Sequence, residues 1–451
     1  MLNYFWFANS NNLTMQQFNN EYKSYLEKNR FCERLLREPV NANTNCIIVI
    51  PCYNEPDILK TLASLWQCEK TNSVVEIIVV INSGEKETNE IIDFNTKTEI
   101  EIKNWLGIAR HQNDSEKLRG YIVSIKNLPQ KHAGVGLARK IGMDEAADRF
   151  NQIKNENGII VCLDADCTVE KNYLLEIERH FSQNEKATGC SIYFEHPLQG
   201  NDFEEKNYEA IVNYELFLRY YKLSVTYTGF PYFFHTIGSS MAVRNHVYQK
   251  QGGMNRRKAG EDFYFLHKIF PLGNFAELNS TCVIPSPRKS MRVPFGTGSA
   301  VTKYLEQDSE EYLTYSFQSF IDLKILFSSV EKMFNGNKRT DEWLNSFSIA
   351  IKTFLIQNNF ENKLSEFYQH STTPKMFAKR FYNWFDGFMI LKFVHFARDN
   401  FYPNNKITIE VERLLYEINR PFVSNNKKEM LLNLRQIERE TKPENLFKFA
   451  Q

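Results

Sequence analysis

From Asn45 onward, short β-branched runs alternate with stretches whose apolar residues recur every three to four positions. CIIVIP (46–51), VVEIIVVI (74–81), GYIVSI (120–125), GIIVCL (158–163) and TGCSIYF (188–194) are apolar on both faces. A strand with that pattern must be covered on both sides, so these runs predict a parallel sheet sandwiched by helices. The intervening segments NEPDILKTLASLWQCEK, KETNEIIDFNTKTEIEIKNWLG and GVGLARKIGMDEAADRF have helical spacing and predict the crossovers. Residues 13–40 predict a helical prefix ending near Pro39, a lid or a brace. After about Ser299 the texture changes to long aromatic helix-like segments, YLTYSFQSFIDLKILFSSVEKMF and KMFAKRFYNWFDGFMILKFVHFARDNF, with no convincing strands. The expected organisation is a helical N-terminal extension over 1–44, an α/β domain over 45–298 and a helical C-terminal domain over 299–451, with no fixed-period repeat.

Composition narrows the function classes. The 451 residues are 42% apolar, enough for a sizeable core, and 55 Lys and Arg balance 54 Asp and Glu. No nucleic-acid footprint follows from that balance, so a charged ligand must be met locally. Eight cysteines lie largely in apolar runs without a CxxC pair, which predicts reduced thiols in a cytoplasmic protein and no zinc site. The start, MLNYFWFANSNN, lacks a basic leader, and no window reaches the roughly 18 apolar residues of a membrane span. The expected protein is soluble or peripheral at the inner face of a membrane.

The run GIIVCLDADCTVEKNYLLEI ends a predicted strand on Asp164 and Asp166, separated by Ala165. Open α/β sheets bind ligands at the carboxyl ends of their strands. On an extended segment residues two apart project to the same side, so both carboxylates can converge on one hard cation, manganese or magnesium, completed by substrate phosphates. The competing reading is that the acids stop the strand, with Thr168 as N-cap of the helix that follows.

The company of this tripeptide carries a resemblance. CIIVIPCYNEPD, EIIVVINSGEKET, AGVGLARKIGMDEA, GIIVCLDADCTVEKNYL, GSSMAVRNHVY and GGMN…GEDFYFLHKI resemble, in order and spacing, the family 2 glycosyltransferases of the GT-A fold over roughly residues 45–290. The resemblance implies metal-dependent, inverting transfer of a sugar from a nucleotide-diphosphate donor, UDP or GDP, to an acceptor hydroxyl of a carbohydrate or lipid-linked molecule. It implies that Pro51, Tyr53, Asn54 and Glu55 line the nucleotide, and the alternative for Glu55 is stabilisation of a helix's first turn. The family usually carries an acid at the second strand's end where this chain has Asn82, so the base is not specified.

Arg139 stands in LARK where the family typically reads ARN, near the diphosphate; the plainer reading is a solvated arginine on a crossover helix. Gly134 and Gly136 permit close backbone approach there. Asp262 is the expected general base, with Glu261 orienting the acceptor or serving as the base itself; the alternative is a helix N-terminus rich in acids. His235 is a candidate for the acceptor pocket, while His267, five residues after Asp262, fits a structural role better. Arg288, Lys289 and Arg292 with Gly296 and Gly298 suggest a cationic loop able to close on the diphosphate. KRFYNWFDGFMILKFVHFAR reads as a core helix in preference to a membrane-surface one. Two other classes stay open: a sugar-nucleotide-binding protein without catalysis, and a nucleotidyltransferase of related fold. Oligomeric state is not legible.

Overall fold

The structure is a computed structural model that describes residues 25–112, 117–290, 292, 296–306, 311–335 and 340–440. The opening MLNYFWFANSNN and the first part of the 13–40 prefix lie outside the described residues. In chain order the elements begin β1 (Thr44–Cys52), α1 (Ile58–Trp66), β2 (Val74–Gly84), α2 (Asn89–Gln112), β3 (Leu118–Leu128), α3 (Val135–Gln152) and β4 (Ile159–Cys162). They continue with β5 (Cys167–Val169), α4 (Tyr173–Gln183), β6 (Gly189–Phe194), α5 (Glu205–Tyr227), β7 (Met241–Arg244), α6 (Asn245–Lys250), α7 (Glu261–Ile269) and β8 (Phe275–Pro285). The protein is α/β, built on mostly parallel strands flanked by helices, and its C-terminal region is helical.

Two compact units divide the chain. The first comprises Met1–Leu59, Lys70–Ala165 and Ala242–Glu261. Its strands run in the order β3-β2-β1-β4-β7, with β1 parallel to both β2 and β4 and β2 parallel to β3. Ile47 to Ile50 of β1 and all eleven residues of β2 are buried, as the two-faced apolar runs require. Helix α3 lies over β1 and β2, so closely that a Cβ on Gly142 would meet Val49 Cγ1 at 2.3 Å.

Every residue of α3 from Gly136 to Phe150 is buried, including its charges. The N-terminal segment supplies the partners. Tyr25 donates to Asp144 at 2.8 Å, Arg34 bonds Asp148 at 2.5 Å, and Arg30 pairs with Glu145. The prefix is therefore a brace in its described part, but only 25–29 are helical: from Arg30 the chain leaves the helix so that Leu35 and Leu36 can donate backbone N–H groups to Glu145. Arg149 completes the layer by pairing with Glu76 at 2.5 Å beneath β2 and lying over the Tyr121 ring.

The second unit comprises Lys60–Glu69, Asp166–Met241 and Asp262–Gln451. Here β6 runs parallel to β8 and β8 antiparallel to β5, so β5 and β8 add strands that the apolar pattern did not predict. The remaining elements are α8 (Thr297–Glu306), β9 (Leu313–Thr314), α9 (Gln318–Asn335), α10 (Thr340–Leu344), α11 (Ile349–Gln357), α12 (Phe360–Gln369) and α13 (Pro374–Trp384). After them come α14 (Gly387–Asn400), β10 (Asn405–Lys406), α15 (Ile407–Glu417) and α16 (Lys427–Glu440).

Phe317, Phe320, Phe354, Phe381, Phe385 and Phe393 share one core with Leu216 and Tyr220 of α5. The aromatic run expected as one long helix is two, α13 and α14, because Asp386 caps the second by accepting from the N–H groups of Phe388 and Met389. No helix among the described residues is long and apolar enough to cross a membrane.

Candidate active site

In the first unit the strand order reverses between β1 and β4, and the crevice beyond such a switch point is where open α/β sheets take their ligands. Pro51 lies in the buried part of β1, opposite Val80 of β2. The chain then turns through Asn54 in the left-handed region (φ 47°), a conformation that Asn tolerates better than most residues. The turn is fixed by a residue that sequence reasoning missed. Asn95, buried on α2, accepts from the Asn54 N–H at 2.9 Å and donates to the Asn82 carbonyl at 3.1 Å, tying the end of β1 to the end of β2. Tyr53 is half-buried beside this turn, whereas Asn82 is buried. Glu55 is also buried and precedes α1, its carboxylate accepting the Asp57 N–H, so it lies outside the helical first turn that the alternative reading gave it.

Arg139 is 1% exposed, which rules out a solvated surface arginine. One terminal nitrogen donates to Asp164 Oδ1 at 2.6 Å and the other pairs with Glu261. The site thus joins residues 25 and 122 positions away from Arg139 in sequence. Gly136 explains how α3 comes near enough. A Cβ there would sit 2.1 Å from the Arg257 carbonyl oxygen and 3.0 Å from Glu261 Cβ, so the close backbone approach expected of this glycine is to the chain's own 253–261 segment.

The pair Asp164 and Asp166 begins where β4 has ended, Leu163 still bonding the Val49 carbonyl. Asp164 retains 41% side-chain exposure despite its arginine. In the second unit Asp166 Oδ2 accepts from Arg288 at 2.9 Å. Thr168 does not cap a helix: it lies within β5, and α4 starts five residues later, behind Asn172. The capping alternative is thereby overturned.

Asp164 is paired with Arg139 in the first unit and Asp166 with Arg288 in the second. Among the described residues no group of three or more His, Cys, Asp or Glu side chains is placed to hold a metal. Two carboxylates nevertheless suit magnesium or manganese, hard ions that commonly take one or two protein carboxylates and complete the shell with phosphate and water.

Glu261 and Asp262 open α7 but have different surroundings. Glu261 is 3% exposed and committed to Arg139, while its carbonyl accepts from Asn255 at 2.8 Å. Asp262 is half-buried and accepts the Phe263 N–H at 2.7 Å. Burial, then Tyr312 and then Asp262, push the Tyr214 phenol above its usual range.

The two histidines lie in packed surroundings. His235 Nε2 lies 3.2 Å from Glu438 and its ring packs on Phe194, inside a buried ionic network of the second unit. In that network Arg219 donates to Glu215 at 2.8 Å and pairs with Glu438, Arg435 bonds Glu215 at 2.7 Å, and Lys222 lies 2.9 Å from Glu277. The signal was available: Glu215 and Arg219 are four apart in an aromatic-rich helix. His267 sits against Phe263 and Phe270, and burial pushes its imidazole down to about 4. Arg292 is exposed, in a loop only partly within the described residues.

Residues 47–251 match the model of glycosyl transferase family 2. This stretch, under half of the 451 residues, is a family 2 glycosyltransferase domain and supports a glycosyltransferase enzyme. No curated protein matches the chain. Among solved structures, S. aureus TarS 1-349 in complex with UDP-GlcNAc shares 14% identity at a TM-score of 0.38, covering 76% of this chain and 91% of that one. The mannosyltransferase PcManGT from Pyrobaculum calidifontis, in complex with GDP-Man and Mn2+, shares 12% at a TM-score of 0.34, covering 82% and 95%. Likenesses this loose assign no ligand.

Proposed function

We propose that the family 2 glycosyltransferase domain of this chain, over residues 45–298, moves a sugar from a UDP- or GDP-sugar to a hydroxyl of a carbohydrate or lipid-linked acceptor, with inversion. The observation that carries the reading is the buried Arg139, which holds Asp164 at the carboxyl end of β4 and Glu261 at the start of α7. This arginine joins, at the carboxyl end of β4 beside a strand-order switch, two of the acids that the sequence motifs put in the site.

The nucleotide half of the donor lies along Pro51, Tyr53, Glu55 and Asn82. Asn82 can both donate and accept through its side chain, which leaves uracil and guanine equally open. Asp164 and Asp166 would hold a divalent cation, manganese or magnesium. That ion, when bound, neutralises charge on the departing diphosphate. Arg139 sets the direction of the Asp164 carboxylate, and Arg288 gives up Asp166 or turns toward the diphosphate with Arg292.

Asp262 takes the acceptor proton. The acceptor oxygen forms its bond to the anomeric carbon from one face, the bond to the diphosphate oxygen breaks on the other, and the nucleoside diphosphate leaves with the electron pair. Glu261, buried and bound to Arg139, orients this end of the site and is poorly placed to accept that proton. Eight unbridged thiols suit a reducing, cytoplasmic setting.

The test is donor turnover across UDP- and GDP-sugars with manganese, paired with manganese-dependent nucleotide binding in Asp166→Asn. Turnover of one donor, with binding lost in the variant, is the expected result. A protein that turns over no donor, and whose Asp166→Asn form binds nucleotide as before, overturns the proposal.

A further inference from the structure

The helical region carries a cavity of about 330 Å³, lined by residues of α9, α15 and the segment after α15. That volume is at the lower end of the range for small-ligand sites. Its floor is apolar: Phe317, fully buried, with Ile321 and Phe422. At the mouth stands Tyr416, 73% exposed, an aromatic ring that packing within the chain does not account for.

The polar lining consists of Glu412, Arg413 and Glu417. Arg413 lies 3.5 Å from Glu410, a buried acid that also accepts the Phe317 N–H. One oxygen of Glu417 accepts the Tyr227 hydroxyl at 2.9 Å, and Lys324 lies over the Tyr227 ring at 3.7 Å. Among the lining residues two acids, Glu412 and Glu417, meet one cation, Arg413, an excess of one negative charge.

This chemistry selects among ligands. A surplus carboxylate disfavours phosphates, nucleotides and anionic lipid headgroups. Charged groups among the lining residues also suit an acyl chain poorly, because they would have to be desolvated against hydrocarbon. What matches is a ligand with an apolar face to stack on an aromatic ring and a hydroxyl edge to donate to carboxylates. A pyranose has both.

We propose that this cavity is a subsite for a neutral saccharide, stacked on Tyr416 and Phe422 and donating hydroxyls to Glu412 and Glu417, which holds a glycan acceptor apart from the donor site. The proposal rests on the reading of the chain as a transferase with a carbohydrate acceptor. Tyr416 and Glu412 are specificity-determining residues outside the reacting centre.

Saturation-transfer NMR on the full chain with cellobiose, chitobiose and mannobiose, and with n-octanol as an apolar probe, tests it. At least one disaccharide should receive saturation. Its affinity should fall roughly three- to tenfold, the size of one stacking contact, in Tyr416→Ala, and fall again in Glu412→Gln, with unchanged melting curves and unchanged UDP or GDP binding. Saccharide signals that are absent from the wild type, or that are the same in both variants, overturn the subsite, as does saturation of octanol alone. Donor turnover on the same samples separates the two ideas: saccharide binding without any donor turnover sinks the transferase mechanism and spares the cavity, whereas the reverse sinks only the cavity.

Discussion

Arg139 Nη2 lies 2.6 Å from Asp164 Oδ1, and the same guanidinium is held from its other side by Glu261. A buried arginine that loses one carboxylate is left with uncompensated charge, which costs about 3–5 kcal/mol. Glu261→Gln is therefore expected to lower the urea midpoint and also to weaken manganese binding, because Arg139 then draws more strongly on Asp164. Glu261→Asp should recover part of both. A variant that loses stability with its manganese titration unchanged would show Glu261 to be a packing residue alone.

Asp262 differs from its neighbour in being half-buried, and its carboxylate accepts the Phe263 N–H at 2.7 Å. Asp262→Asn keeps that acceptor and should fold normally. Loss of the general base is expected to lower kcat about 10²–10⁴-fold with little change in donor KM. Wild-type kcat in this variant would move the base elsewhere.

Arg288 competes with any cation for Asp166, to which it donates at 2.9 Å. Arg288→Ala should shift the manganese midpoint for nucleotide binding to lower concentration while slowing transfer, if the arginine turns to the diphosphate. Isothermal titration and initial rates read the two effects separately, and a shift toward higher manganese would contradict the competition.

His267 gives a pH dependence with a definite sign. Burial holds its folded pKa down at about 4, below the unfolded value of about 6.5, so the unfolded chain binds more protons between those values. Stability from this group is fully present above about 6.5 and is lost as pH falls toward 4, by up to about 3 kcal/mol. Urea melts at pH 7 and pH 5 should show that slope in the wild type and a shallower one in His267→Phe, whose ring suits the Phe263 and Phe270 surroundings.

Gly136 approaches the Arg257 carbonyl so closely that Ala would need its Cβ 2.1 Å away. Gly136→Ala should cost about 1–3 kcal/mol through overpacking and displace α7, reducing activity further than its stability loss explains. Gly107, inside α2 with nothing near its Cβ position, is the control: Gly107→Ala should leave activity unchanged and raise stability by up to about 1 kcal/mol.

The sheet was legible where strands are apolar on both faces. The runs around Val49, Val79, Val123, Val161 and Ile192 all became strands, because burial on both sides leaves no polar positions to confuse the period. β5, β7 and β8 escaped. Two of them are three and four residues long, and β8 mixes Glu277, Asn279 and Ser280 into its run because several of its positions are only partly covered. Thr168 looked like a cap because a hydroxyl before an acidic amphipathic stretch is the local mark of a helix start; the antiparallel pairing with Ile284, 116 residues on, decided otherwise (284 − 168 = 116). Arg139 could be placed by motif but not by burial, since its partners come from distant segments that no local pattern identifies.

Arg219, Glu215 and Lys222 are buried on α5, and one of the acids that answers them, Glu438, is 219 residues further along than Arg219. At about 5–20 residues per second of synthesis, the ribosome takes roughly 10–40 s to make that stretch. For this interval the second unit has no finished interior to close, and α5 must wait with its charges wet.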